Sequence, residues 1–295
     1  MSGRRSWTPP PSCAASPPAS GNSSDLLNAQ PFDWLNLMAA YTHTVSKEKT
    51  GMPGSDASSA FTYIPSYQGA NNVALHNSQY VIPDRIVASA TVSDKGGNHF
   101  SFIYESWHGG FNTSFLTVND MNGDGYNYDV VYIPTDAEVA SRLFRFATPD
   151  DQTRFMDFVH ANDYLSRHQG SYAEAYSVYS PWVHRLDFAY KHDFRLKMGK
   201  NEHKLQFCFD IKNVLNLFNS SWGVCKIANQ DFSTTPSSTG SVQNSRILNY
   251  VGRDADGYAV FSTPKGINGK TEMWKPYHSL DQCWFASVGL KYYFN

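Results

Sequence analysis

The segment from His184 to Met198 alternates without interruption: Leu186, Phe188, Tyr190, His192, Phe194, Leu196 and Met198 occupy even positions, and Arg185, Asp187, Ala189, Lys191, Asp193, Arg195 and Lys197 occupy odd ones. A side-chain period of 2 puts the two sets on opposite faces of one strand, one apolar and the other almost entirely charged. Soluble strands average about 5 to 6 residues, whereas a tilted strand crossing a bilayer needs roughly 9 to 11. Length and polarity together predict a transmembrane barrel strand, its apolar face toward lipid and its charged face toward a wet interior. The competing assignment is a long edge strand of a soluble sandwich, which predicts a second layer over the apolar face.

Five other segments repeat the pattern. They are Trp34 to Val45, Ile82 to Val92, His99 to Glu105, Lys204 to Lys212 and Trp284 to Asn295. Their apolar phases are Leu35/Leu37/Ala39/Tyr41, Ile86/Ala88/Ala90/Val92, Phe100/Phe102/Tyr104, Leu205/Phe207/Phe209/Ile211 and Ala286/Val288/Leu290/Tyr292. Six such segments of matching polarity predict an all-β, antiparallel up-and-down meander. Asp94 to Asn98 (DKGGN) and Gly199 to His203 (GKNEH) read as tight links, while the remaining connections are long. Strict alternation of short and long connections matches an outer-membrane barrel, with short turns on one side and external loops on the other. In the second long loop, Thr135 to Glu138 reads as a capping box and Thr148-Pro149 as another helix start. Two short helices are therefore expected there.

Composition narrows the rest. The 295 residues carry 17% charged and 15% aromatic residues at a net charge of -2, which gives no basic footprint for nucleic acid. No apolar run approaches the roughly 18 residues of a helical span, so membrane crossing rests on strands. Cys13, Cys208, Cys225 and Cys283 lack metal spacing and read as free thiols, although Cys208 and Cys283 are predicted on neighbouring strands. Residues 1–30 are rich in Pro, Ser and Ala and lack the apolar stretch of an export signal. That segment is expected to be disordered or non-native, leaving 31–295 as the barrel portion.

Several stretches resemble the C-terminal end of TonB-dependent outer-membrane receptors of the kind carrying a carboxypeptidase-regulatory-like N-terminal module. They are PFDWLNLMAAYTHTVSK, YVIPDRIVASATVS, DMNGDGYNYDVVYIP, FVHANDYLSRHQGSYAEAYSVYSPWVHRLDF, KLQFCFDIKNVLNLFNSSWGV and the closing SVGLKYYFN, in the family's order. The resemblance implies that the six strands are the last of a barrel of about twenty-two enclosing a plug. It further implies an energy-coupling TonB-type partner, contact with outer-membrane lipid, and uptake of a scarce solute of unknown identity. The chain is then a fragment of an exported receptor, integral to the outer membrane. The alternative is an outer-membrane adhesin or carbohydrate-binding surface protein.

Candidate chemistry is sparse. In DMNGDGYNYD, Asp120, Asn122 and Asp124 hold the first, third and fifth positions of a calcium-type loop, with Gly125 sixth. Val131 stands where a bidentate Glu belongs, so Asp129 is the expected substitute ligand. The ten histidines form no HExxH and there is no GxSxG, so no catalytic residues are assigned. Because the charges of Arg185, Asp187, Lys191, Asp193, Arg195 and Lys197 are mixed in sign, they are expected to hold the plug through ion pairs and not to form a selective funnel. Asn213 and Asn216 are read as turn and rim residues.

Overall fold

The computed structural model describes residues 20–51, 55–198, 201–229 and 244–294. Seven long strands form one antiparallel sheet: β1 (Ser20–Phe32), β2 (Leu35–Glu48), β3 (Asp84–Ser93), β4 (Asn98–His108), β5 (Val183–Met198), β6 (Asn201–Lys212) and β7 (Phe285–Phe294). Each pairs with its sequence neighbours, so the sheet is an up-and-down meander in which β1 and β7 run in the same direction. The chain is mostly β, with 46% in strands and 15% in helices.

The register places every predicted apolar phase on one face. One cross-strand row reads Leu27, Ala39, Ala88, Tyr104, Leu186, and the next reads Ala29, Leu37, Ala90, Phe102, Phe188, Ile211, Ala286. Residues directly opposite in an antiparallel ladder share a face, so the phases read strand by strand converge on one surface.

Two expectations need correction. The sheet has seven long strands where six were expected, because β1 lies mostly within the segment expected to be unstructured. Its side chains are exposed on both faces except at Ala29, so no apolar alternation advertises it. A backbone ladder to β2, closed by the short link Asp33-Trp34, holds it. Residues 1–19, with Cys13, lie outside the described residues. Of the expected GKNEH link, Asn201 to His203 belong to β6, and residues 199–200 lie outside the described set.

The long connections are more than loops with two helices. Short strands at Phe115–Val118, Asp129–Val130 and Arg145–Phe146 from the second join Ser245–Arg253 and Ala259–Ser262 from the third in a mixed five-stranded sheet. Against it pack α2 (Asp136–Ala140), α3 (Pro149–Ala161) and α4 (Asp163–Arg167), while α1 (Ala57–Thr62) sits in the first loop and α5 (Val214–Phe218) opens the third. Both predicted helix starts are present. Thr135 Oγ1 accepts from the Glu138 amide at 3.2 Å while Glu138 accepts from the Thr135 amide at 2.8 Å, and Thr148 caps α3 by accepting from the Asp151 amide at 3.1 Å. The main hydrophobic core lies in this loop body, around Phe115, Ile133, Phe155, Leu165, Ile247 and Ile267, each fully buried. Among the described residues no helix is long and apolar enough to cross a membrane.

Candidate functional site

The apolar face of the long sheet has no layer over it among the described residues. Phe102 is 42% exposed, Phe194 53%, Val288 68% and Leu290 68%, whereas on the opposite face Asp193 and Cys208 are only 8% and 5% exposed. That distribution inverts the usual order, in which apolar side chains are the enclosed ones. Aromatic and histidine side chains mark both ends of the bare face. Toward the short turns, Phe32 stacks on Trp34 at 5.2 Å, Phe100 meets Tyr190 at 5.0 Å, and His203 stacks on Tyr292. Toward the long loops, His184 shares a hydrogen bond with Tyr104 at 2.7 Å and His108 stacks on Trp182 at 5.5 Å. His184 and Phe194 are ten residues apart along β5, roughly 33 Å at about 3.3 Å per residue; a tilt of about 40° makes that roughly 25 Å, the height of an apolar barrel band.

The polar face is laced by short-range pairs. Lys204 reaches Asp193 at 2.6 Å, Gln206 donates to the same carboxylate at 2.7 Å, and Lys212 pairs with Asp187 at 2.6 Å. Arg85 and Glu105 pair at 2.5 Å. The expected plug-holding charges are thus partly committed within the sheet. Arg185 is committed to the loop-side rim: it donates to Gln282 Oε1 at 2.6 Å and to the Gly223 carbonyl at 3.0 Å, with its guanidinium over Trp107. Among the described residues, Lys191 and Arg195 have no carboxylate within ion-pair distance.

Asn213 is the hinge of that rim. It adopts a left-handed backbone at φ 53°, its amide donates to Asp187 at 2.9 Å, and its carboxamide donates to the carbonyls of Gly223 and Gln282 at 3.1 and 2.9 Å. A Cβ at Gly223 would lie 2.0 Å from Asn213 Oδ1, so only glycine fits. Asn216 likewise donates to Ser220 and Trp222 carbonyls. Both asparagines are buried at the turn that follows β6. Cys208, Cys225 and Cys283 are free.

Asp120, Asn122 and Asp124 lie in the loop between the strands Phe115–Val118 and Asp129–Val130, and Asp129 begins the second of these strands. Their oxygens are turned largely on the loop's own donors. Asp120 accepts from the amides of Gly123, Asp124 and Gly125, Asn122 Oδ1 from the Asp124 amide, and Asp124 from the Tyr126 amide. Asp129 accepts from the Met121 amide at 2.6 Å and the Asn122 carboxamide at 2.5 Å. Among the described residues no group of three His, Cys, Asp or Glu side chains is arranged to hold a metal.

Asp129 is 1% exposed, and burial, reinforced by the charges of Asp124 and Asp120, lifts its carboxyl from the ordinary 3.8 to about 6 against the pull of its amide donors. Between those values the folded chain keeps on Asp129 a proton that the unfolded chain has lost, so the contribution of this one group to stability is fully present below about pH 4 and is lost as pH rises through 6. Asp129→Asn should remove this group's share of the pH dependence, about 1 to 3 kcal/mol between pH 4 and 7.5, read as melting temperature across that range. A calcium-dependent rise in the wild-type melting temperature, absent from the variant, would assign Asp129 to a cation instead.

The sequence offered no direct signal for a further concavity in the first loop. A cavity of about 620 Å3 is lined by Ala57, Ala60, Phe61, Ile64, Val73 and Ala74, and rimmed by Lys49, Gln68, Asn71 and Asn72. Its helix α1 is capped by Asp56, which accepts from the Ser59 amide at 2.8 Å, the one feature visible in the linear chain. The loop leans on the Asp120–Asp129 segment: Phe61 meets Tyr126 edge-on at 5.7 Å, Tyr63 meets Tyr128 at 5.3 Å, and the Ser66 amide donates to the Tyr128 carbonyl at 3.0 Å. The histidines, read as scattered, gather in part: His43 and His108 both flank Asp84, which also accepts from Tyr41. No protein-family model, curated protein or solved structure matches this chain.

Proposed function

We propose that the long sheet is a wall segment of an outer-membrane β-barrel, and that the chain is the C-terminal part of a receptor that takes up a scarce solute with the help of a TonB-type energy-coupling partner. The observation that carries this reading is the uncovered apolar face, banded at both ends by aromatic side chains, behind which Asp193, Gln206 and Cys208 of the charged face are buried. Exposure of such a surface to water is unfavourable at roughly 25 cal/mol per Å2, and hydrocarbon removes that cost. Sorting of the connections supports it too: β1–β2, β3–β4 and β5–β6 are joined tightly on one side, and the long segments that build the loop body lie on the other.

In this reading the loop body faces outward, and the polar face borders an aqueous interior with a plug supplied by the remainder of the receptor. Lys191 and Arg195, free of carboxylate partners among the described residues, are charges available to meet the plug. The solute acts on the loop body, where side chains are not committed to the sheet. The proposed role is binding and passage.

The test is extraction of native membranes. The chain should stay with the membrane pellet through alkaline carbonate and high salt and be released by detergent. Release into the carbonate wash would exclude integral insertion and overturn the proposal.

A further inference from the structure

We infer that the cavity of the first loop is a binding site for a short peptide bearing an aliphatic side chain and a free C-terminal carboxylate. This names a ligand class for the loop body and rests on the receptor reading only for the direction the site faces.

The floor and the rim make different demands. The floor is aliphatic: Ala60 and Ile64 are 4% and 8% exposed, and Ala57, Val73 and Ala74 complete it with the edge-engaged ring of Phe61. About 620 Å3 lies within the ordinary range of small-ligand sites, roughly 300 to 1,000 Å3. The rim presents three carboxamides, Gln68, Asn71 and Asn72, whose side chains make no hydrogen bond to another group among the described residues, and the ammonium of Lys49, which has no ion pair among them.

A carboxamide offers a donor and an acceptor together, which is the complement of a peptide unit. Three of them around one mouth match a backbone of two or three residues. A fatty acid has an apolar chain and one carboxylate, so it makes no use of those carboxamides, which are exposed and stay hydrated beside it. A sugar favours open aromatic faces, and the single ring here is turned edge-on to Tyr126. Lys49 supplies the charge that a terminal carboxylate requires, at the margin, where it stays hydrated until ligand arrives.

The site is also held from below. Gly69, between Gln68 and Ala70, approaches Asp124 so closely that a Cβ there would lie 3.1 Å from Asp124 Oδ2. The rim is thus seated on the Asp120–Asp129 segment of the loop body, which fixes the spacing of the carboxamides before ligand arrives.

Binding of four probes to the purified full chain in detergent tests the assignment by calorimetry: trileucine with a free C-terminus, trileucine amide, decanoate and maltotriose. Trileucine should bind in a one-to-one ratio, with amidation and Lys49→Gln each weakening it about tenfold. Ala57→Trp, at an exposed helix position facing the cavity, should abolish binding with an unchanged melting temperature. Tighter binding of decanoate or maltotriose than of trileucine overturns the ligand class. Trileucine binding that survives Ala57→Trp, or no binding by any probe to the folded chain, overturns the site. Because binding is read in detergent and membrane insertion by carbonate extraction, either reading can fail without the other.

Discussion

Phe188→Arg should cost about 2 to 4 kcal/mol of stability when the chain is unfolded by urea from phospholipid vesicles. Phe188 lies in the middle of the apolar face, between Phe102 on β4 and Ile211 on β6. If the face meets lipid, a guanidinium at that depth has only hydrocarbon around it, whereas the displaced ring suits that environment. Ala189→Arg, one residue on, points to the charged face between Ser101 and Asp210, and should cost less than about 1 kcal/mol. The pair of variants separates the two environments by the size of the cost. If the apolar face met water, arginine at 188 would gain hydration and the two costs would be equal. Equal effects would therefore remove the bilayer from the account of this sheet.

Phe155→Ala should destabilise the loop body by about 3 to 5 kcal/mol, the range for truncating a fully buried aromatic. Phe155 is 0% exposed on α3 and packs on Phe146 at 5.7 Å within the main core. Hydrogen exchange resolves where the loss falls. Amides of α3 and of Phe115–Val118 should lose protection while those of β5 and β6 keep theirs, since the long sheet shares little of this core. Phe155→Leu should cost less than about 1.5 kcal/mol, because it keeps most of the volume. Loss of protection across β5 and β6 in the alanine variant would show that the two parts unfold as one.

What could be read in the chain follows from how local each signal is. The long strands announce themselves through strict alternation, and the phase of each fell on the face where the register puts it, since a bare apolar face imposes its period on every strand that contributes. β1 escaped because an edge strand held by its backbone needs no such period; Leu26 and Leu27 are adjacent, and both are 66% exposed. The mixed sheet of the loop body escaped for a different reason. Its strands are two to nine residues long, and one of its two parallel pairs joins Phe115–Val118 to residues about 130 positions away, a contact no local pattern encodes. Thr135 and Thr148 were legible because a cap is a matter of three or four consecutive residues. For the candidate sites the division is the same. Asp129 could be named from the spacing of its loop, but its burial, and hence its raised proton affinity, arises from packing. The first-loop cavity is assembled from α1 and the Gln68–Ala74 segment, and only their folding brings an apolar floor under a ring of carboxamides.

The common direction of β1 and β7 has a consequence for assembly. Copies of this chain standing upright in one bilayer all present outer strands that descend, so any seam between copies, whether head to tail or about a twofold axis, sets two descending strands side by side. Parity therefore works against closure by self-association. If the sheet is part of an antiparallel cylinder, closure requires an odd number of additional strands, the first and last of them ascending, beside the seven long strands of the described residues.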